Sequence, residues 1–352
     1  SAASPRRRGD DGEQQRRRVR IVIVGAGATG GYVGAKLARA GADVSLIARG
    51  PHLAAMRERG LRLIEADGSE DFVVHPSCTE DWSVLGDADV VFLTVKSHGL
   101  AAIAERLAGA LGPETAVVTA QNGIPWWYFQ RHGGPLDGAS LYSVDRDGIL
   151  SRGLPPERII GCVVWPATRL VEPGVVEHLE GTRFTIGELD GAKSDRCQAI
   201  SAVLSAAGLR CPVSTKIRRD LWLKLLGNVA FNPISALTRA TLAAIARNAE
   251  TRALARAMME EVDAVARALG VEIPVSIEQR IAGAERVGEH QTSMLQDLES
   301  GRPLELEGLV GAVIELGDLV HVPVSHLRAI YACVKLMVEQ AQRERIVPPV
   351  SG

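Results

Sequence analysis

The sequence has no run of about 18 apolar residues, so nothing in it reads as a membrane-spanning helix. Cysteine is sparse and scattered. Cys78, Cys162, Cys197, Cys211 and Cys333 form no CxxC pair, and their odd number argues against a disulfide framework. Reduced thiols in a cytoplasmic protein are the expectation. None of the eight histidines belongs to an HExxH motif, and with ligand clusters this thin no metal site is expected. No long basic block occurs outside the N-terminus and the net charge is −2, which argues against nucleic acid as a main partner. Residues 1–18 do not read as a secretory signal either. Residues 1–18, SAASPRRRGDDGEQQRRR, are polar and arginine-rich with no apolar core behind them. They are expected to be a disordered leader, native or left over from expression, and residues 346–352 a tail. No internal repeat or low-complexity tract is present.

What is there is an ordinary globular composition, 46% hydrophobic and 23% charged over 352 residues, enough for two domains. Residues 19–125 alternate short β-branched runs (RIVIV, DVSLIAR, DVVFLTVK, TAVVTAQNG) with helical patterns, the first helix ended by Gly41. Continuous apolar strands alternating with helices predict a parallel sheet covered on both faces. From about 139 to 190 short β segments broken by Pro173–Gly174 and Gly181 predict an antiparallel extension of that sheet. A helix over about 193–207 and a short strand near Cys211–Val213 close the first domain, 19–214. From 215 to 345 the periodicity is helical, with breaks at Gly270, Pro274, Gly301–Pro303 and Pro323. The fold class is therefore α/β: an N-terminal Rossmann-type dinucleotide-binding domain followed by an all-α domain.

IVIVGAGATGG places Gly25, Gly27 and Gly30 as GxGxxG directly after a strand and at the opening of a helix, the context that gives the motif meaning. Gly25 permits the tight turn, Gly27 lets backbone approach a pyrophosphate, and Gly30 allows close helix–strand packing; Ala28 and Thr29 complete the loop. A NAD site usually ends its second strand with an acidic residue. This one ends in Arg49, which suits the 2′-phosphate of NADP(H). Asp43 stands at the other end of the strand. Lys96 and Gln121–Asn122–Gly123 end two further strands at the same edge, where open α/β sheets bind ligands.

The stretch DLWLKLLGNVAFNPISAL, 220–237, is an apolar helix carrying Lys224, Asn228 and Asn232 at steps of four, hence on one face. Pro233 should bend or interrupt it. A semi-buried lysine needs a counter-charge. Glu305 and Glu307 lie on roughly opposite sides of a later helix, so one of them can face inward, and HQTSMLQD adds the hydroxyls of Thr292 and Ser293. A lysine, a carboxylate, amides and a hydroxyl around a nicotinamide make a place to reduce a carbonyl, with lysine protonating the developing alkoxide.

GAGATGG, Arg49, the strand ending in Lys96, QNG, PGVVEH, LWLKLLGNVAFNPISALT, TSMLQD and GRPLELEGLVG occur in the order seen in the ketopantoate reductases (2-dehydropantoate 2-reductases), and the chain resembles that family over nearly all of residues 19–340. The resemblance implies an NADPH-dependent reductase of a small 2-oxo acid, with its helical domain like the C-terminal domain of 6-phosphogluconate dehydrogenase and its site in the cleft between domains. It implies Lys224 as general acid, Glu305 beside the lysine and the substrate hydroxyl, and Asn228, Asn232 and Ser293 at the substrate. Lys96 and Asn122 would line the cofactor–substrate boundary. The chain departs from the family pattern in QNGIPWWYFQ, at Gly308 and at Val310, which leaves the identity of the 2-oxo acid open. Trp126 or Trp127 is expected to border the substrate entrance. Besides ketopantoate, a different and more apolar oxo acid, or a redox-sensing NADP(H)-binding regulator without turnover, are the alternatives; the set of lysine, amides, hydroxyl and carboxylate argues against the regulator. Apolar surface on the second domain is compatible with a homodimer.

Overall fold

In the computed structural model Ile21–Val24 are all buried, as an uninterrupted β-branched run requires, and form strand β1, flanked on both sides in the main sheet. The structure describes residues 18–66 and 68–346. Apart from Arg18 and Ile346, the expected leader and tail lie outside the described residues.

After β1 come α1 (Ala28–Arg39), β2 (Val44–Ile47), α2 (Gly50–Arg59), β3 (Leu61–Glu65), β4 (Phe72–Val74) and β5 (Ser77–Thr79). Next are β6 (Val90–Leu93), α3 (Ser97–Leu100), α4 (Ala104–Ala110), β7 (Ala116–Thr119), α5 (Ile149–Gly153) and β8 (Ile159–Val164). The first part ends with β9 (Ala167–Glu172), β10 (Val175–Glu180), β11 (Phe184–Glu188) and α6 (Asp195–Ala206). The main sheet has the order β11-β8-β7-β6-β1-β2-β5, parallel throughout except for β11. The carboxyl ends of β1, β6, β7 and β8 therefore share one edge, and the site is built there.

The expected antiparallel extension is only partly right. β11 does extend the main sheet, but β9 and β10 leave it for a second sheet of order β4-β3-β10-β9. The physical reason is that β10 buries alternate residues, Val176 and His178, on one face only, whereas the main-sheet strands β1, β6 and β8 are buried on both. That face packs on α1, where a Cβ on Gly31 would stand 2.7 Å from Val176. His178, the histidine of PGVVEH, stacks on Tyr32 at 4.4 Å and meets Glu65 at 2.7 Å, fastening the small sheet to the first helix.

The rest of the chain is helical: α7 (Ile217–Thr238), α8 (Leu242–Arg247), α9 (Ala249–Ala268), α10 (Ile277–Val287), α11 (Ser293–Glu299), a π-turn at Glu307–Gly311 running into α12 (Ala312–Leu319), and α13 (Ser325–Ile346). Gly270 and Gly301 stand just past helix ends with φ of 77° and 64°, the left-handed geometry glycine permits. Pro233 does not interrupt α7. The helix runs on to Thr238 and ends at Arg239, which has φ 58°. Its neighbours Phe231 to Ala236 are all buried, so packing outweighs the lost backbone bond.

Candidate active site

The glycine loop has the tight turn and close packing that its spacing predicts. Gly25 has φ 100°, and a Cβ there would meet Val95 at 2.8 Å; a Cβ on Gly30 would stand 2.2 Å from the Gly25 carbonyl oxygen. Nothing lies within 4 Å of where a Gly27 side chain would be. Gly27 also caps α1 without offering a side-chain oxygen to the first-turn N–H groups, and that turn holds no acidic residue. A bare helix start beside open space fits a pyrophosphate. Two groups that the motif does not contain hold the loop. The Thr94 hydroxyl donates to the Gly25 carbonyl at 2.7 Å. His52 accepts from Gly174 N–H at Nδ1 (2.9 Å), so its proton is on Nε2, which donates to the Ala26 carbonyl at 2.6 Å. Burial lowers the His52 pKa and favours this neutral form. No motif marks His52 or Thr94; the only local signal for His52 is its position three residues past Arg49.

Arg49 follows β2, caps α2 and is exposed, and no side-chain hydrogen bond or ion pair engages it among the described residues. Its guanidinium is thus available at the end of the second strand, where a ribose 2′-phosphate would be met.

The opposite side of the site gathers distant parts of the chain. Lys224, in the middle of α7, donates from Nζ to the Asn122 side-chain oxygen (2.5 Å) and to the Val164 carbonyl at the end of β8. Asn122 passes the link on, its amide nitrogen donating to Glu305 Oε2 at 3.4 Å. Glu305, 8% exposed, accepts at Oε1 from Ser97 N–H (3.2 Å) and from the Ser97 hydroxyl (3.4 Å). Burial lowers the Lys224 pKa to about 8, Glu305 opposes the shift, and the Arg280 guanidinium adds to it. The ammonium is thus held near the point where it can give up a proton at neutral pH. Of the two acidic candidates, Glu305 faces the lysine, whereas Glu307 is exposed and accepts from the Tyr331 hydroxyl at 2.8 Å.

A cavity at this point is lined by Gln121, Asn122, Cys162, Val164, Lys224 and Asn228, among others. Asn228 thus shares this cavity with Lys224. Asn232, one turn further along, is 5% exposed and outside the lining; Ser293 opens α11 as an exposed residue and makes no printed contact with the cluster. Lys96 pairs with Asp297 of α11, which also accepts from Arg302 at 2.9 Å, so its charge ties the two parts of the chain together. A backbone contact closes the same seam. Ile124 N–H donates to the Gly308 carbonyl at 2.8 Å, and a Cβ on Gly123 (φ 88°) would stand 2.3 Å from that oxygen. Gly308 sits in the π-turn that follows Glu305, and such turns gather at functional sites.

The tryptophans are not at an entrance. Trp126 and Trp127 are 2% and 1% exposed and belong to the core. Trp127 Nε1 donates to the Thr119 hydroxyl at 2.7 Å, and a Cβ on Gly161 would touch its ring at 2.8 Å. Tyr128 extends the same plug to α7, accepting from Trp222 Nε1 at 2.7 Å, while its backbone carbonyl accepts from Arg218 at 2.6 Å. Aromatic bulk that follows the QNG loop is spent on seating α7 against the sheet.

Comparison with known proteins agrees with this arrangement. Residues 21–191 match the family model described as ketopantoate reductase PanE/ApbA, and residues 216–338 match that of the ketopantoate reductase PanE/ApbA C terminal. A 2-dehydropantoate 2-reductase of Mesorhizobium japonicum is 49% identical over 324 residues, 92% of this chain and 99% of that protein. One from Halobacterium salinarum is 33% identical, covering 93% of this chain and 100% of its own. The crystal structure of a PanE/ApbA family ketopantoate reductase from Ralstonia eutropha superposes with a TM-score of 0.79 at 32% identity, over 92% of this chain and 100% of that one. Both parts of the sequence match the two parts of one family in order, and the chain belongs to the ketopantoate reductases, a family of dinucleotide-binding oxidoreductases.

Proposed function

We propose that the protein reduces a 2-oxo acid with NADPH, 2-dehydropantoate to pantoate being the first candidate, and that Lys224 is the proton donor. The observation that supports it most is the enclosed ammonium of Lys224, bonded to Asn122 and through it to Glu305, at the sheet edge that carries the glycine loop. The relatives named as 2-dehydropantoate 2-reductases point to the substrate, and the unpaired Arg49 supports the phosphate-bearing cofactor. NADPH, when bound, supplies the hydride to the carbonyl carbon. The remaining demands fall on side chains. The carbonyl oxygen gains negative charge as its double bond opens, and the Lys224 ammonium neutralises that charge and then transfers its proton to give the alcohol. Asn122 orients the lysine, and Glu305 supports its charge. Asn228 lines the place of the substrate; Asn232 and Ser293 are assigned to the substrate's polar groups, and Lys96 to the cofactor–substrate boundary. On this reading the product serves pantothenate synthesis in the cytoplasm.

A second reading, reduction of a bulkier 2-oxo acid, is favoured by Gly308. A Cβ there would stand 3.5 Å from the Asn122 carbonyl oxygen and 3.7 Å from the Ser97 hydroxyl, so glycine leaves space beside the cluster. One experiment separates the readings: NADPH oxidation measured across a panel of 2-oxo acids that includes 2-dehydropantoate. Fastest turnover of 2-dehydropantoate supports the first reading and preference for a bulkier acid the second. No oxidation with any member overturns both and leaves a nucleotide-binding protein without turnover.

A further inference from the structure

Among the described residues of the helical part, the Arg280 side chain has no ion-pair or hydrogen-bond partner. Arg280 lies on α10, and its guanidinium rests flat against Gly227 of α7: a Cβ on Gly227 would stand 2.4 Å from Nε and 2.5 Å from Nη2. The Nε is fully enclosed and has no hydrogen-bond partner. No ion pair engages the side chain among the described residues. The carboxylates on its own helix are committed elsewhere, Glu278 to Arg252 and Arg256, and Glu285 to Arg247 and Arg252. Burial pulls the Arg280 pKa down from its ordinary value, but an arginine stays charged under any working condition. Arg280 is half-buried, and a guanidinium with an enclosed, unpaired Nε and no anion beside it is costly, which points to a ligand that supplies one.

Its position says which ligand. Gly227 is the neighbour of Asn228 and lies three residues, about one turn, from Lys224, the two α7 residues that line the cavity with polar groups. Around this turn Lys224 and Arg280 bring two positive charges, and Glu305 brings one negative charge. The glycine at 227 is what lets the guanidinium lie close to the helix axis. A 2-oxo acid carries a single carboxylate next to the carbonyl to be reduced, which would restore the balance. We infer that Arg280 is the anchor for the carboxylate of the 2-oxo acid, setting the acid's orientation so that its carbonyl oxygen faces Lys224. The inference rests on the reaction proposed above for its choice of acid.

The test is a calorimetric titration of the full-length protein, loaded with NADP⁺, with pantoate and separately with pantoate's primary amide, which keeps the shape and loses the charge. Arg280→Gln should weaken pantoate binding by roughly 10- to 100-fold, the usual worth of a charge-assisted contact, and leave the amide unchanged. Arg280→Lys should restore part of the loss. Gly227→Ala, which keeps the arginine but pushes its guanidinium aside, should also weaken pantoate selectively. NADPH affinity should stay level in all three. Pantoate bound as tightly by Arg280→Gln as by the natural protein overturns the inference, and so does an equal loss for acid and amide, the signature of a merely structural arginine. Because the titration reads binding and not turnover, a protein that reduces no 2-oxo acid defeats the proposed reaction, while the anchor is still judged by the difference between acid and amide.

Discussion

The two ends of the site are built in opposite ways. The end proposed to hold the cofactor, from Gly25 to Arg49, is one continuous stretch of strand, helix and strand, and what it offers is backbone shape and one solvent-facing arginine. The end proposed to donate the proton takes Asn122 from the turn after β7, Ser97 from α3, Lys224 and Asn228 from α7, and Glu305 from just before the π-turn. Its parts are charged and polar, half-buried except for the buried Glu305, and they meet only where the helical region packs on the sheet edge. A nucleotide's phosphates can be met by N–H groups that every chain carries, and local glycines suffice to expose them. Proton transfer needs a lysine whose pKa is moved toward neutrality, and that takes enclosure from several sides. If this contrast is right, damage to one end should leave the other working.

The sharpest break is at Lys224. If Lys224 is the donor, as proposed, Lys224→Ala should lower kcat by about 10²–10⁴, the usual worth of a general acid. NADPH should still bind with near-natural affinity, because Lys224 touches Asn122 and Val164 and not the glycine loop. Stopped-flow hydride transfer and fluorescence titration of NADPH read the two separately. Near-natural kcat would show the lysine to be structural and would turn attention to Lys96, although its pairing with Asp297 leaves it poorly placed for that task.

The converse break is at Arg49. Arg49→Ala should raise the KM for NADPH on the order of 10- to 100-fold, the range of a lost charge-assisted phosphate contact, while the KM for NADH and the kcat at saturation barely move. Equal effects on both cofactors would sink the assignment of the 2′-phosphate to this residue.

A pH profile sharpens the comparison on the proton-donor side alone. With its folded-state pKa lowered from 10.5 to about 8, Lys224 is protonated below pH 8 and loses its proton above it. Only the protonated form can donate, so kcat/KM should be level toward neutral pH and fall about tenfold per unit above pH ~8. Binding of NADPH should show no matching limb. Arg280→Gln removes a cation that presses on Lys224, and the falling limb should then move to higher pH. A limb that starts only near 10.5 would mean the lysine is solvated in the working enzyme.

The same contrast explains what could be read in advance. The glycine loop, Arg49 and the parallel strands were legible because each is written in one short stretch with a local physical reason. Lys224 was legible as an anomaly, a cation in an apolar helix, and Asn122 because it ends a strand at the ligand edge. Helix geometry narrows the acidic partner only to Glu305 or Glu307, and the resemblance points to Glu305; in the structure Glu305 meets Ser97 and Asn122 while Glu307 meets Tyr331. What escaped depends on contacts between parts distant in sequence. His52 grips both Ala26 and Gly174, the strands β9 and β10 pair with β3 across the chain, and Arg280 fills the space left by Gly227. No local pattern announces such pairings. The tryptophans failed for a related reason, since nearness in sequence to Asn122 was taken for nearness to the substrate.

The smallest effect tests that last point. Trp127 lies eight residues from Thr119, whose hydroxyl accepts its indole N–H at 2.7 Å, and both side chains are buried. Trp127→Phe keeps a ring in the core but deletes the donor and part of the volume. Thr119 keeps its own bond to the Ile160 carbonyl, so no buried hydroxyl is stranded. The cost should be about 1–2 kcal/mol of folding stability, read as a fall in Tm of several degrees at most. The order in which 2-oxo acids are reduced should be unchanged, because the ring packs between the sheet and α7 against Gly161 and not into the cavity beside Lys224. A reordered substrate ranking at unchanged Tm would return Trp127 to the substrate entrance and show that the aromatic plug moves aside when the site is occupied.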